Sequence, residues 1–411
     1  MRSLRIAMVT EYAYPVLGGI SEHVHHLSLQ LVRRGHDVTV VTGRAPSDRI
    51  EEAADQDRRA RTEHGYRTVR LGRSAPVVTN GSIARVTVSP RVLGLVRRAT
   101  AGMDVVHTQG LFGPVLPLVA LATSSAPCTV GTFHTYAAGG DHWAYRLFRP
   151  GLRRLCERLD RRIAVSQVCV DSLRPHVGGE WDVIPNGIDT VSFHPLAPGA
   201  TPASGPPRLL FVGRFDERNG LHTLLDAAAL LQDRGLDFAV DVVGDGPARP
   251  RYEAQARRLG IWDRITWHGL LNEERPALYR RAALLAAPCT LASFGVVLLE
   301  AFASGIPIVC ADNVGFRQVI RDGAPGRFVP PDDPAAFAAG LAEVLSNPTL
   351  RAAWGVDGRR IAEARYGWPQ VAERIERLYL EVLTGGAAAP PAPTPVTTSS
   401  SAPPERELRI A

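Results

Sequence analysis

The chain has 411 residues, 45% hydrophobic and 21% charged, with a formal net charge of +6 carried on arginine alone because no lysine occurs. That length exceeds one growing core, so two domains are expected. The composition is ordinary for a soluble α/β protein, no apolar run is long enough to span a bilayer, and no long basic stripe with interleaved aromatics marks a nucleic-acid binder. Positive charge on arginine suits a nucleotide, a polynucleotide or an anionic membrane alike, and a GC-rich genome accounts for it as well. Cys128, Cys156, Cys169, Cys289 and Cys310 lack metal-ligand spacing, and read as buried thiols of a reducing cytoplasm. Residues 4–10 run directly into a strand-then-turn pattern, unlike a signal peptide.

In chain order, residues 4–10 read as a strand and 11–19 as a loop with Pro15 and Gly18-Gly19. Residues 20–34 form an amphipathic helix with Val24, Leu27 and Leu31 on one side, and 38–42 the next strand. The glycine pair lets backbone approach a phosphate or a sugar, and serves a plain tight turn equally well. Residues 47–62 read as a solvated surface segment, 68–71 as a strand, and 80–88 as a turn entering another. Residues 89–100 set Arg91, Arg97 and Arg98 among Val92, Leu95 and Val96, a pattern of a helix on anionic lipid or of an ordinary domain surface. Strands at 105–107 and 128–132 follow, the second leading to Phe133-His134-Thr135. A histidine at a strand's carboxyl end is a site candidate, though a lone one is more often structural. A long helix at 141–159, a strand at 162–166 and the segment 181–189 close the first half.

Residues 194–208 are rich in Pro, Ala and Gly, as in an exposed hinge. Beyond them βα units repeat, implying a second parallel sheet. Arg214 follows the strand 209–212 and is placed to clamp a diphosphate or to lie on the surface. A strand at 238–243 ends in Gly244-Asp245-Gly246. The strand 284–287, a polar turn at 290–295 and a helix at 296–304 place a helix N-terminus at a strand's carboxyl end, where α/β proteins hold anions. The amides of Phe294 to Val297 suit a diphosphate and Glu300 a ribose, although any Rossmann-like βαβ unit shares the local pattern. Val371, Ile375, Leu378 and Val382 mark a final helix at 369–383, and 385–411 reads as a disordered tail.

Ser293-Phe294-Gly295 and Glu300 resemble the sugar-nucleotide motif of the GT-B, family 4 retaining glycosyltransferases. Tyr12, Gly18-Gly19, the run Asn80 to Arg85, Thr132 to Thr135, Ala164 to Ser166 and Ile184 to Gly187 resemble the phosphatidylinositol mannosyltransferases of that family. The resemblance spans residues 4–383. It implies an α/β, GT-B architecture of two Rossmann-like domains facing across a cleft. The acceptor domain is 1–195, completed by a helix at 367–384; the linker is 196–207; the nucleotide-sugar domain is 208–366.

The same resemblance implies hexose transfer, mannose foremost, from GDP-mannose or a UDP-sugar to an acceptor hydroxyl with retained configuration. His134 and Arg214 would be catalytic. The donor would meet Gly18, Gly19, Arg214, Arg218, Asn219, Gly244, Gly246, Ser293, Phe294, Gly295, Val296, Val297 and Glu300. The acceptor, phosphatidylinositol, another lipid or a small metabolite, would meet Tyr12, Ser21, Asn80, Ser82, Arg85 and Thr135. No metal or other cofactor and no nucleic acid are expected; peripheral contact with the inner face of the plasma membrane is. The chain departs from the family where Ala292 stands for its first Glu, Asn219 for its Lys, Ser21 for its Gln and Gly139-Gly140-Asp141 for a polar stretch that usually carries a Lys, and the basic helix is thinner. Arg218 beside Asn219 is a candidate replacement cation. A nucleotide-sugar-binding partner with little turnover is the alternative.

Overall fold

Short apolar runs become strands buried on both faces, the pattern of parallel sheets covered by helices. The computed structural model describes residues 2–16, 18–79, 82–111, 115–135, 143–197, 205–320 and 325–385, with the side chains of 76–79, 82–85 and 143–149 left aside. The first domain contains β1 (Arg5–Thr10), β2 (Asp37–Gly43), β3 (Arg67–Leu71), β4 (Arg73–Thr79), β5 (Ser82–Val88), β6 (Val105–Gln109), β7 (Cys128–Phe133), β8 (Arg161–Ala164) and β9 (Asp182–Val183). Seven of them pair in parallel in the order β3-β2-β1-β6-β7-β8-β9, while β4 and β5 form an antiparallel hairpin. The sequence reading recognises only the second arm of that hairpin, because Pro76 interrupts the first.

The second domain contains β10 (Arg208–Val212), β11 (Ala239–Val243), β12 (Ile265–Gly269), β13 (Leu284–Ala287), β14 (Ile308–Ala311) and β15 (Gly326–Val329). They form a six-stranded parallel sheet ordered β12-β11-β10-β13-β14-β15. Strand order reverses between β1 and β6 in one sheet and between β10 and β13 in the other. Loops diverge at such reversals and leave a crevice beyond the carboxyl ends of the strands. These are two parallel-sheet, Rossmann-like domains of the GT-B kind.

The helix Trp368–Thr384 returns to the first domain, where Val371, Ile375 and Tyr379 enter the core with Leu4, Ile6 and Leu27. Its entry is fixed by an isolated parallel bridge between Ile188 and Gly367. Gly187 must be glycine here, since a Cβ would lie 2.4 Å from the Trp368 ring. Ala164, Val165 and Val170 of the first domain share one apolar cluster with Leu298, Phe302 and Ile306 of the second. The proposed tail lies outside the described residues from 386 onward.

Candidate active site

On the first-domain side, the loop after β1 leads to the helix Gly19–Arg33, with Gly18 in extended backbone before it. A Cβ at Gly18 or Gly19 would meet nothing within 4 Å, so the space in front of this helix start is open. The first amides of a helix have no partner within it, and its dipole favours an anion there. Ser21, expected at the acceptor, is 1% exposed, its hydroxyl has no hydrogen-bond partner among the described residues, and it lines a small cavity with Tyr14, His25 and Tyr66. Its place on the first helical turn puts it on the side facing the domain interior.

Beneath the site runs a chain of buried polar groups. His134 Nε2 lies 2.8 Å from Gln109 Oε1, and Gln109 Nε2 lies 3.2 Å from His107 Nε2. His107 Nδ1 reaches the Tyr379 hydroxyl at 2.6 Å and its Nε2 the Thr132 hydroxyl at 2.7 Å. An amide oxygen only accepts, so His134 Nε2 carries the proton and Nδ1 is the lone-pair nitrogen. Burial, reinforced by His23 and His107, holds His134 well below the ordinary histidine range. It is therefore a neutral hydrogen-bonding group. His23 packs edge-on against it at 4.8 Å and is itself held by Asn186 at 3.0 Å.

On the second-domain side, the loops after β10 and β11 are tied together: Phe215 N donates to Asp245 O at 3.0 Å and Gly213 N to Val243 O at 3.0 Å. Gly244 is forced by this contact, with φ 139° and a Cβ position 1.9 Å from Gly213 O. A Cβ at Gly246 would lie 2.8 Å from Phe215 O. Both glycines thus build the loop that presents Arg214. Arg214 and Arg218 each lie 3.8 Å from the Asp216 carboxylate, so the two cations stand together. Asn219 instead turns its amide onto Arg214 O at 2.9 Å and holds the loop. Thr290 N donates to Arg218 O at 2.8 Å, joining this loop to the one after β13.

The helix Val296–Ala303 begins after Gly295, whose φ of 116° turns the chain into it. Phe294 is buried, and Gly295, Val296 and Val297 supply the amides at its start. Glu300, expected at the ribose, is 3% exposed. Its carboxylate pairs with Arg275 at 2.9 Å and accepts from the Tyr279 hydroxyl at 2.6 Å. Burial raises its pKa against the pull of Arg275.

The two sides meet. Ser166 Oγ donates to Ser293 O at 2.8 Å, and Arg275 also reaches Glu22 of the first helix at 3.4 Å. Tyr12 has a phenol raised by burial and then by Glu11, and Arg214 lies near enough to oppose both. Thr135 is half-buried beside His134. Asn80 and the side chains of Ser82 and Arg85 lie outside the described residues, though their hairpin is anchored: buried Glu11 accepts from the amides of Thr87 and Leu116. Glu11, His23 and Arg275 escape the sequence reading because each acts through a partner far away in the chain, and Asn186 enters it only as part of the Ile184 to Gly187 motif. Only the position of Glu11 next to the Tyr12 loop offered a local signal. Among the described residues no three His, Cys, Asp or Glu side chains are placed to hold a metal ion, and no helix is long and apolar enough to cross a membrane.

Comparison with known proteins agrees with this geometry. Residues 17–192 match the model "Glycosyltransferase Family 4" and residues 198–361 match "Glycosyl transferases group 1". The phosphatidyl-myo-inositol mannosyltransferase of Mycobacterium tuberculosis is 34% identical over 93% of this chain and 98% of its own. That of Mycobacterium leprae is 33% identical, also over 93% and 98%. The structure of sucrose-phosphate synthase from Thermosynechococcus elongatus superposes with a TM-score of 0.72 at 23% identity, over 94% of this chain and 100% of that one. The chain thus belongs to the family 4 glycosyltransferases of GT-B fold, as a relative of the phosphatidyl-myo-inositol mannosyltransferases.

Proposed function

We propose that this hexosyltransferase moves mannose from GDP-mannose to a hydroxyl of phosphatidylinositol or a closely related inositol lipid, with the anomeric configuration retained. The observation that carries the reading is the convergence of both switch points: Arg214 and Arg218 flank one carboxylate at the end of β10, and Arg214 bears on Tyr12 across the interface. The relatives' own names supply the sugar and the lipid class.

Breaking the anomeric bond puts negative charge on the departing diphosphate. Fixed donors aimed at that charge stabilise the transition state without reorganising during the reaction. Arg214, Arg218, the amides of Val296 and Val297, and the amides following Gly18 would serve. The acceptor hydroxyl attacks on the face the diphosphate leaves, and a departing oxygen takes its proton. No carboxylate nucleophile is required. His134 would accept a hydrogen bond from a sugar or acceptor hydroxyl at Nδ1. Asn80, Ser82 and Arg85 are proposed to hold the inositol phosphate, and Thr135 to line the sugar. The helix Val92–Ala99 has an exposed Leu93 beside Arg97 and Arg98, which suits the inner, anionic face of the plasma membrane.

Ala292 leaves the sugar without the family's carboxylate, a loss of about 2–5 kcal/mol where such a group is buried and paired. Slower turnover or a different hexose would follow. The test is a donor screen with GDP-mannose, UDP-glucose and UDP-galactose, with and without phosphatidylinositol vesicles. GDP-mannose consumption that rises with the lipid and yields a mannosylated lipid is expected. Turnover confined to UDP-sugars, or indifferent to phosphatidylinositol, would overturn the assignment.

A further inference from the structure

A second cavity, of about 740 Å³, opens at the outer edge of the first sheet, where β9 is the last strand and the C-terminal helix forms a wall. It shares no lining residue with the site described above. Its volume falls in the range of small-ligand pockets, roughly 300–1,000 Å³. Five arginines line it: Arg161, Arg162, Arg174, Arg374 and Arg377.

Their charges are unevenly matched. Arg161 is paired with Glu381 at 2.9 Å and lies 4.0 Å from Asp182. Arg374 donates to Val183 O at 2.8 Å and forms no ion pair among the described residues. The nearest carboxylate to Arg377 is Glu373 at 3.8 Å, on its own helix. Arg162 spends one nitrogen on Cys156 O at 2.7 Å, while its buried Nε has no hydrogen-bond partner among the described residues. Arg174 is exposed and forms no ion pair among the described residues. Burial and the neighbouring Arg377 both disfavour the charge on Arg374. An anion in the cavity would relieve that cost. Asp182 offsets part of that cost, while Asp160 accepts from Thr129 N at 2.7 Å and Glu381 is held by Arg161.

Glu180 and Asp182 line the same cavity and would accept from hydroxyl groups. Guanidinium forks match tetrahedral phosphate, and carboxylates match a polyol. We infer that this pocket is a second ligand site, separate from the donor and acceptor sites, for a small soluble phosphorylated polyol. The phosphate lies against Arg174, Arg374 and Arg377, and the hydroxyls lie toward Glu180 and Asp182. The concave form favours a free molecule over a headgroup held in a bilayer.

Calorimetric titration of the full chain with glycerol 3-phosphate tests this, beside glycerol and vesicles of phosphatidylglycerol. Binding is expected for glycerol 3-phosphate and not for glycerol. The double variant Arg174→Glu/Arg377→Glu changes two exposed side chains, so its melting temperature should be preserved. It is expected to weaken binding about tenfold or more, the loss of one charge-assisted hydrogen bond at least. Arg214→Gln, which alters the cleft, is expected to leave this binding intact while lowering transfer. No heat with glycerol 3-phosphate, loss only in Arg214→Gln, or capture by vesicles alone would each overturn the proposal. None of these outcomes depends on which sugar the enzyme transfers.

Discussion

With no lysine in the chain, Arg218 is the cation proposed to stand in for the family's Lys at Asn219. Asn219 is occupied with Arg214 O, while Arg218 stands with Arg214 around Asp216. Truncating Arg218 to alanine is expected to lower kcat by about 10²-fold, the scale of losing one transition-state donor, with little change in melting temperature because its side chain is 42% exposed. A rate equal to wild type in a steady-state assay would remove Arg218 from the mechanism. His107 poses a different question. Burial lowers its pKa to about 3, while the unfolded chain retains the ordinary value near 6.5. Between those values the unfolded state binds the extra proton, so stability increases with pH and is lost as pH falls below about 6.5. The penalty reaches about 2 kcal/mol at pH 5. His107→Gln should therefore show a shallower fall in melting temperature from pH 7 to pH 5 than wild type, even though it begins lower. Parallel slopes would show that the imidazole takes up its proton without unfolding.

At the scale of loops and helix starts, glycines with the same apparent signature do different jobs. Gly18 and Gly19 have open space where a Cβ would go, and Gly18 is extended. Alanine at either should fold with an unchanged melting temperature, yet raise KM for the nucleotide sugar, because the added methyl occupies the room the phosphates need. Gly244→Ala has positive φ and a backbone oxygen in the way, so it should lower the melting temperature outright. Kinetics and thermal melts on the three variants separate a ligand-facing glycine from a packing one. Unchanged KM in both N-terminal variants would move the phosphate elsewhere. Sequence alone does not make this distinction. It does reveal the strand β13, the break at Gly295 and the helix Val296–Ala303, because apolar runs and chain reversals are local signals. It places Arg214 by the same logic. It does not foresee that Ser21 and Glu300 are buried, because helix phase and partners far off in the chain decide that.

Across the whole molecule, one buried cation joins the domains. Arg275 pairs with Glu300 inside its own domain at 2.9 Å and with Glu22 of the first domain at 3.4 Å. Burial works to raise the Glu22 carboxyl, but His26 and Arg275 outweigh it and hold it at about 2. His26 in turn stacks on Trp368 of the returning helix with ring centroids 5.5 Å apart. The contact thus gathers the first helix, the second domain and the C-terminal helix at the edge of the proposed donor site. Replacing Arg275 would strand Glu300 as an uncompensated buried charge, and the outcome would report unfolding more than domain motion. Glu22→Gln is the cleaner probe, since it removes the negative charge from the interdomain half and leaves the Arg275–Glu300 pair in place. A charge-assisted bond contributes about 1.5–3 kcal/mol, enough to move a closed-to-open balance by roughly 10- to 100-fold. Small-angle scattering of this variant without donor should therefore show a larger radius of gyration than wild type. A saturating nucleotide sugar should reverse the difference, and KM should rise more than kcat falls. Superimposable scattering curves for the two proteins would mean that the shared apolar cluster, and not Arg275, sets how the domains close.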